Sequence, residues 1–204
     1  MSVLILISSV CLSYLLGAVP TGMLMGRLFR VDIRRHGSGN VGATNVTRVL
    51  GKFPGVIVLL VDTAKGWIPA AWLAVRAAQM GSAGGDGLPV LLGTAAVAGH
   101  IWNPFLQFQG GKGVATGLGV LLGLDVRVGL AAAALWLIAA VLTRYVSIAS
   151  VSAAVGACFL MPVFGHPLAW TFGSIAVALA ILWRHRPNFL RLLHGEEHRI
   201  GVVK

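Results

Sequence analysis

Long runs of apolar residues alternate with short polar segments along the whole chain. A membrane-spanning helix needs about 20 apolar residues, because a helix rises about 1.5 Å per residue and the hydrocarbon core is about 30 Å thick. Six runs approach this length, while one, at 114–124, has about half of it and predicts a short, tilted or re-entrant helix. The runs cover residues 2–26, 54–76, 88–107, 114–124, 128–143, 146–164 and 168–184. The pattern predicts an all-α integral membrane protein in which residues 1–204 form one domain with seven transmembrane helices.

The positive charges indicate how such a bundle is oriented. If the amino terminus lies outside, thirteen of the 16 Lys and Arg residues fall on the cytoplasmic side, whereas Arg76 and Arg127 fall outside and Lys65 lies within a span. This distribution follows the positive-inside rule, so we expect an external amino terminus and a cytoplasmic carboxy terminus. The thirteen are Arg27, Arg30, Arg34, Arg35, Arg48, Lys52, Lys112, Arg144, Arg184, Arg186, Arg191, Arg199 and Lys204. The same side receives three polar segments, near residues 36–52, 99–116 and 184–199.

Composition narrows the expected partners. The chain is 57% hydrophobic and 11% charged, and its net charge of +10 favours anions. The charges occupy short gaps between apolar runs and form no broad basic face with aromatic side chains, so nucleic acid is not an expected partner. Membrane lipids and small phosphorylated substrates fit better, and the sequence requires no protein partner. Because the six histidines and two cysteines show no metal-ligand spacing, we expect neither a metal site nor a cofactor.

The first polar segment has the composition of an anion-binding loop. Glycines occupy three of the six positions 37–42, and uncharged donors surround them, so backbone N–H groups can approach a ligand. Residues 43–50 are predicted to form a short helix that ends at Gly51. A flexible turn is an equally good interpretation, since turns favour the same residues. The candidate binding residues of this segment are Gly37, Ser38, Gly39, Asn40, Thr44, Asn45 and Arg48.

The second polar segment contains Gly110, Gly111, Lys112 and Gly113 immediately before an apolar run. Backbone amides, a helix amino terminus and one ammonium group would converge there, which is typical of a phosphate site. The sequence is not a Walker A motif, because Gly follows the Lys and no strand precedes it. The alternative is a hairpin turn at the membrane surface with a snorkelling Lys.

The third polar segment follows the last apolar run. Pro187 disfavours helical geometry at Arg186, so we expect the span to stop there and a short amphipathic helix to form at 187–194, ending at Gly195. His185 and Asn188 flank this break, and both a binding role and a structural role remain open for them. The arginines of the segment are predicted to anchor the chain to anionic lipid of the inner leaflet. They are Arg184, Arg186 and Arg191.

Two further polar features lie close to the spans. Asp62 and Lys65 stand at i, i+3 within the second apolar run, and a buried ion pair that braces the bundle is the favoured interpretation. Ser147 and Ser150 follow the turn at Arg144, although serines are also common at packed helix faces in membranes.

The three segments, in this order, resemble the PlsY family of bacterial acyl-phosphate:glycerol-3-phosphate acyltransferases. The resemblance covers nearly the whole chain and includes Asp62 with Lys65 and the turn from Arg144 to Ser150. It implies seven spans and transfer of a fatty acyl group from acyl phosphate to the 1-hydroxyl of glycerol 3-phosphate. The implied products are lysophosphatidic acid and phosphate. It also implies the inner (plasma) membrane of a bacterium, with the active site facing the cytoplasm.

The resemblance implies roles for individual residues. Ser38, Lys112 and His185 would be catalytic, and the proton of the attacking hydroxyl would go to His185 or to a phosphate oxygen of the substrate. The implied substrate-binding residues are Gly37, Gly39, Asn40, Thr44, Asn45, Arg48, Gly110, Gly111, Gly113, Ser150, Asn188 and Glu197. A transporter for phosphorylated molecules is the main rival. The polar breaks cluster at one predicted surface without an internal repeat, which favours the enzyme.

Overall fold

A computed structural model of the protein describes residues 1–201, and within this part of the chain every regular element is a helix. Eleven α-helices are found there, so the all-helical prediction is confirmed. They are α1 Ser2–Gly17, α2 Thr21–Leu28, α3 Ala43–Leu50, α4 Lys52–Trp67, α5 Ala74–Gln79, α6 Leu88–Ile101, α7 Val114–Leu124, α8 Val126–Thr143, α9 Val146–Val163, α10 Leu168–Arg184 and α11 Arg186–Leu193. Lys204, which we placed on the cytoplasmic side, lies outside the described residues.

Four stretches of residues 1–201 are long and apolar enough to cross a membrane: Ser2–Leu28, Lys52–Gln79, Val126–Thr143 and Val146–Val163. A fifth is formed if α10 and α11, which meet at an angle of 50°, count as one bent span. The short apolar run at 114–124 is a helix of 11 residues. The count of seven spans and the orientation of the termini therefore stay predictions.

The predicted end of the span at 88–107 is wrong, because helix α6 stops at Ile101. Pro104 favours extended geometry in the residue before it, and Asn103 has φ −77° and ψ 113°. The Asn103 side chain accepts a hydrogen bond of 3.0 Å from the Phe105 N–H and so caps the following 3-10 turn. The chain between α6 and α7 is therefore a loop and not a continuation of the helix.

The first predicted span is interrupted between α1 and α2, where the helical hydrogen-bond pattern is broken near Pro20. In the membrane interior a freed carbonyl needs another donor. Lys65 Nζ donates to the Val19 carbonyl at 2.6 Å, and Asn103 Nδ2 donates to the Ala18 carbonyl at 2.6 Å. The predicted pair of Asp62 and Lys65 is confirmed, with 2.5 Å between Oδ1 and Nζ, and this pair holds the break in place.

Glycines allow two pairs of helices to approach closely. Helices α1 and α6 meet at Gly17 and Gly99, and helices α4 and α7 meet at Gly66 and Gly119. A Cβ atom on any of the four would overlap a backbone carbonyl of the facing helix. Small residues are used in this way because packing, and not a hydrophobic driving force, holds helices together in lipid.

Five helices enclose the centre of the molecule. Each of α6, α7, α8, α9 and α10 contacts the next, and α10 returns to α6. Short helices α3 and α11 lie at one end of this ring and bring the polar segments to its opening. The prediction of a short helix at 43–50 is confirmed, and the predicted helix at 187–194 is found one residue earlier at each end.

Candidate active site

The ring surrounds a cavity of about 300 Å³, and all three polar segments contribute to its wall. Its polar end contains Ser38, Asn40, Thr44, Asn45, Arg48, Lys112, Gly113, Ser147, Ser150, His185, Asn188, Arg191 and Glu197. The structure therefore brings together most of the residues singled out from the sequence. It does not bring Gly37, Gly39, Gly110 or Gly111 to the cavity wall, and these four act through the backbone.

A chain of hydrogen bonds crosses the polar end. Lys112 Nζ donates to Asn188 Oδ1 at 2.5 Å, and Asn188 Nδ2 donates to Glu197 Oε1 at 2.6 Å. Arg191 Nε donates to Glu197 Oε2 at 2.8 Å. Arg191 thus orients the Glu197 carboxylate, and Glu197 orients the Asn188 amide. The amide oxygen in turn holds the Lys112 ammonium group at the cavity wall. Arg191, which we expected to anchor lipid, belongs to this network instead.

Burial sets the charge states in this network. It lowers the pKa of Lys112 to about 8, and Glu197 partly opposes the shift while Arg191, Arg184 and Arg48 reinforce it. Burial has the opposite effect on a carboxylate and by itself would raise the pKa of Glu197. Hydrogen bonds from Asn188 and Arg191 outweigh this effect, so the pKa of Glu197 is lowered. At neutral pH the ammonium group and the carboxylate are both charged. A bound phosphate would favour the charged form of Lys112 further.

Arg48 projects from α3 into the same space. Among residues 1–201 it has no hydrogen-bond or ion-pair partner, although Glu197 lies near enough to act on its charge. A guanidinium group with unused donors is suited to bidentate binding of phosphate. Arg48 is therefore the best-placed side chain for a second anionic group.

The first segment is shaped by two asparagine side chains. Asn45 Oδ1 accepts from the Ser38 N–H at 2.8 Å, while its Nδ2 donates to the carbonyls of Ile33 and His36 at 3.2 and 3.1 Å. Asn40 Oδ1 accepts from the Gly42 N–H at 2.8 Å. The side chain of Asn45 is thereby used within the loop, where it positions Ser38.

Gly37 and Gly39 have φ values of +61° and +71°, a conformation that other residues adopt rarely. A Cβ atom on Gly37 would also overlap Asn45 Oδ1. These glycines let the chain turn tightly enough for Ser38 to reach the cavity wall. Their contribution is to the shape of the loop.

The glycines of the second segment differ from our expectation. The amides of Gly110 and Gly111 donate to the carbonyls of Ile101 and His100 at 3.0 and 3.1 Å. Because these donors are already used, the predicted phosphate cradle narrows to Lys112, Gly113 and the start of α7. The imidazole of His100 packs against Gly111, where a side chain would overlap His100 Nε2.

Arg184 fixes the second segment from the opposite side. Its Nη2 donates to the Gly110 carbonyl at 2.6 Å, and its Nε donates to the Gly111 carbonyl at 3.1 Å. Arg184, predicted to anchor lipid, thus binds two backbone carbonyls of this loop instead. A planar guanidinium group suits two adjacent carbonyls, and the contact ties the end of α10 to the loop that carries Lys112.

His185 lies at the bend between α10 and α11 and is 2% exposed. Its Nδ1 is 2.8 Å from the Ile181 carbonyl, which can only accept a hydrogen bond. Nδ1 must therefore carry the proton, and in the neutral ring Nε2 has a free lone pair. The bend brings this imidazole and Asn188 to the same cavity wall.

The Ser150 side chain contacts other protein groups at the cavity wall. Its hydroxyl donates to the Val146 carbonyl at 2.7 Å and accepts from Trp136 Nε1 at 3.2 Å. The indole of Trp136 lines the cavity below the polar end. Ser150 thus orients an aromatic wall residue, and Trp136 is a residue that the sequence did not single out.

Below the polar end the cavity wall is mainly apolar. Its wall there consists mainly of small and aliphatic side chains of the ring helices, together with Leu59 of α4, the indole of Trp136 and the hydroxyl groups of Thr94 and Ser174. The lining residues reach down α10 from His185 to Gly173, a rise of about 18 Å over twelve residues. Within residues 1–201, no group of three or more His, Cys, Asp or Glu residues is placed to hold a metal ion.

The fold and the cavity define a helical membrane protein in which a cationic site opens onto an apolar channel. The sequence model of the glycerol-3-phosphate acyltransferase family matches residues 7–195. The chain therefore belongs to this family, as the resemblance of its motifs predicted, and it is an integral membrane glycerol-3-phosphate acyltransferase of the PlsY type.

Curated relatives and solved structures agree with this assignment. The chain is 44% identical over 192 residues to the glycerol-3-phosphate acyltransferase of Prochlorococcus marinus strain MIT 9312, covering 93% of this chain and 94% of that protein. It is 44% identical over 190 residues to the enzyme of Aquifex aeolicus, covering 93% and 96%. It is also similar to the crystal structure of PlsY, an integral membrane glycerol 3-phosphate acyltransferase, in its glycerol 3-phosphate form. That match has a TM-score of 0.89 and 42% identity, and covers 96% of each chain.

Proposed function

We propose that this acyltransferase uses acyl phosphate as its donor and transfers the acyl group to the 1-hydroxyl of glycerol 3-phosphate, giving lysophosphatidic acid and phosphate. The observation that carries the proposal is the position of Lys112, which lines the polar end of the cavity two residues before α7, the helix whose residues line the apolar channel. An acyl phosphate has the matching shape, with its phosphate next to its acyl chain. A crystal structure of PlsY in its lysophosphatidic acid form supports this product, since it is 41% identical to this chain with a TM-score of 0.86.

Lys112 and the amino terminus of α7 would bind the donor phosphate. The positive end of the helix and the ammonium group both stabilise the negative charge that grows as the phosphate leaves. Arg48, His185 and Asn188 would hold glycerol 3-phosphate on the other side of the polar end. Ser38, positioned by Asn45, would orient the attacking hydroxyl or the acyl carbonyl.

The reaction itself needs few groups, since acyl phosphate is already activated. The 1-hydroxyl oxygen attacks the acyl carbonyl carbon, a new C–O ester bond forms, and the bond from that carbon to the phosphate oxygen breaks. The hydroxyl proton passes to His185 Nε2, whose lone pair is free because Nδ1 is bound to Ile181. A phosphate oxygen of the substrate is the alternative acceptor.

Purified protein in lipid, supplied with palmitoyl phosphate and labelled glycerol 3-phosphate, should form labelled lysophosphatidic acid and an equal amount of phosphate. The donor is tested by replacing palmitoyl phosphate with palmitoyl-coenzyme A or palmitoyl-acyl carrier protein. Turnover with either thioester but not with palmitoyl phosphate would overturn the proposed donor and leave the acyltransferase activity intact.

We also propose that the protein lies in the bacterial inner membrane with the polar end of the cavity facing the cytoplasm, as the positive charges predict. After Cys11 and Cys158 are replaced by Ala, single cysteines at Arg35 and Glu196, both exposed, report on the polar end. Exposed Ala83 reports on the opposite end. In intact spheroplasts a membrane-impermeant maleimide should label Ala83→Cys alone, and labelling of the other two instead would reverse the orientation.

A further inference from the structure

The apolar channel has a floor, formed where the start of α6 meets α10. Four residues line the cavity at its far end: Val90 of α6, Leu124 of α7, Ala157 of α9 and Gly173 of α10. Val90 lies ten residues before His100, which also lines the cavity, so the two are about 15 Å apart along α6. We propose that Val90, seated against Gly173, sets the longest acyl chain that the enzyme accepts. The inference rests on the proposed function of the channel.

Val90 and Gly173 fit together without space for another atom. A Cβ atom built on Gly173 would overlap Val90 Cγ2, so the isopropyl group occupies the space that a side chain on α10 would otherwise fill. Val90 itself is 6% exposed. The terminal methyl group of an acyl chain that follows the channel would therefore meet the side chain of Val90.

A hydrogen bond links α10 to the start of α6 just beyond the floor. The indole Nε1 of Trp170, near the start of α10, donates to the Asp86 carbonyl just before α6 at 2.7 Å. This contact ties the two helices together below Val90 and opposes their separation. Because this contact resists widening of the floor, a chain that is too long must bend or withdraw its phosphate from Lys112, and either change lowers turnover.

The wall of the channel beside the floor contains a small residue that leaves room for the chain. This residue is Ala157, about 10 Å below Ser150 along α9. A larger side chain at this position would project into the channel and raise its floor. Val90→Ala and Ala157→Leu are therefore expected to change the accepted chain length in opposite directions.

The test is the profile of kcat/KM over saturated acyl phosphates from lauroyl to arachidoyl, with glycerol 3-phosphate saturating. For Val90→Ala, the rate for a donor two carbons longer than the wild-type optimum should rise about tenfold relative to that optimum, since two more methylenes become buried. Ala157→Leu should shift the preference towards shorter chains. Leu91→Ala is the matched control, because the neighbouring Leu91 is 43% exposed on the outer side of α6 and should leave the profile unchanged.

Profiles of Val90→Ala and Ala157→Leu that match the wild type in shape, at any overall rate, would overturn the inference. If one variant does not purify as a folded protein, the other decides the matter alone, since each predicts its own direction. Failure of the wild type to make lysophosphatidic acid from any acyl phosphate is a different result, and it would contradict the proposed function itself.

Discussion

Replacing Lys112 by Met should lower kcat/KM for palmitoyl phosphate by about 10²–10³-fold, the usual cost of losing one group that stabilises transition-state charge. Methionine keeps the length of the side chain and removes the ammonium group that donates to Asn188. The loss should fall on kcat, because the charge on the departing phosphate is greatest in the transition state. Initial rates in lipid, together with thermal unfolding to show that the variant is folded, measure the effect.

Lys52→Met is the matched control, since exposed Lys52 begins α4 outside the cavity and should give wild-type rates. A Lys112→Met enzyme within tenfold of the wild type would remove Lys112 from the site. The pH profile provides a second measurement on the same group. The pKa of Lys112 is lowered to about 8, so the charged form is present below this pH and is lost above it.

We therefore expect kcat/KM of the wild type to fall about tenfold for each pH unit above 8, as expected for a single titrating group. In Lys112→Arg the guanidinium group remains charged throughout this range, so the decline should disappear even if the maximum rate is lower. A decline of equal position and slope in both enzymes would assign it to another group.

Local rules were enough to predict much of the secondary structure from the sequence. Gly51 marked the end of α3, Pro187 marked the bend between α10 and α11, and the i, i+3 spacing paired Asp62 with Lys65. Each of these depends on residues within one or two helical turns. The three polar segments could be recognised for the same reason. That they share one cavity became clear only from the structure.

The errors occurred where the outcome depends on contacts between distant segments. Arg184 and Arg191 have the composition and position of lipid anchors, and the sequence cannot reveal that their donors meet the Gly110 and Gly111 carbonyls and the Glu197 carboxylate. Trp136 looks like any other apolar residue of a span until Ser150 orients it.

The glycine-rich loop shows the same limit. Its glycines suggested free amide donors, but whether an amide is free depends on the partner across the fold. In this protein the carbonyls at the end of α6 accept from both Gly110 and Gly111. Fewer groups than predicted are therefore left to bind phosphate. The expected loss of activity on removing one of them, such as the Lys112 ammonium group, is larger for this reason.

Replacing His185 by Gln should lower kcat by about 10²-fold, at the lower end of the range for loss of a general base, with a smaller change in KM for glycerol 3-phosphate. Glutamine retains an N–H donor for the Ile181 carbonyl but cannot accept the hydroxyl proton at neutral pH. Single-turnover and steady-state rates separate the chemical step from binding. His194→Gln is the control, because His194 is an exposed residue at the end of α11.

The size of the His185 effect distinguishes the two possible proton acceptors. If His185→Gln keeps kcat within a few-fold of the wild type while KM rises, His185 only binds the substrate and a phosphate oxygen takes the proton. If kcat falls as expected, the geometry at the bend explains it, because the bond from Nδ1 to Ile181 leaves Nε2 as the one basic atom of the ring. The 50° bend between α10 and α11 would then have a catalytic purpose, since it places that atom and Asn188 at the same wall of the cavity.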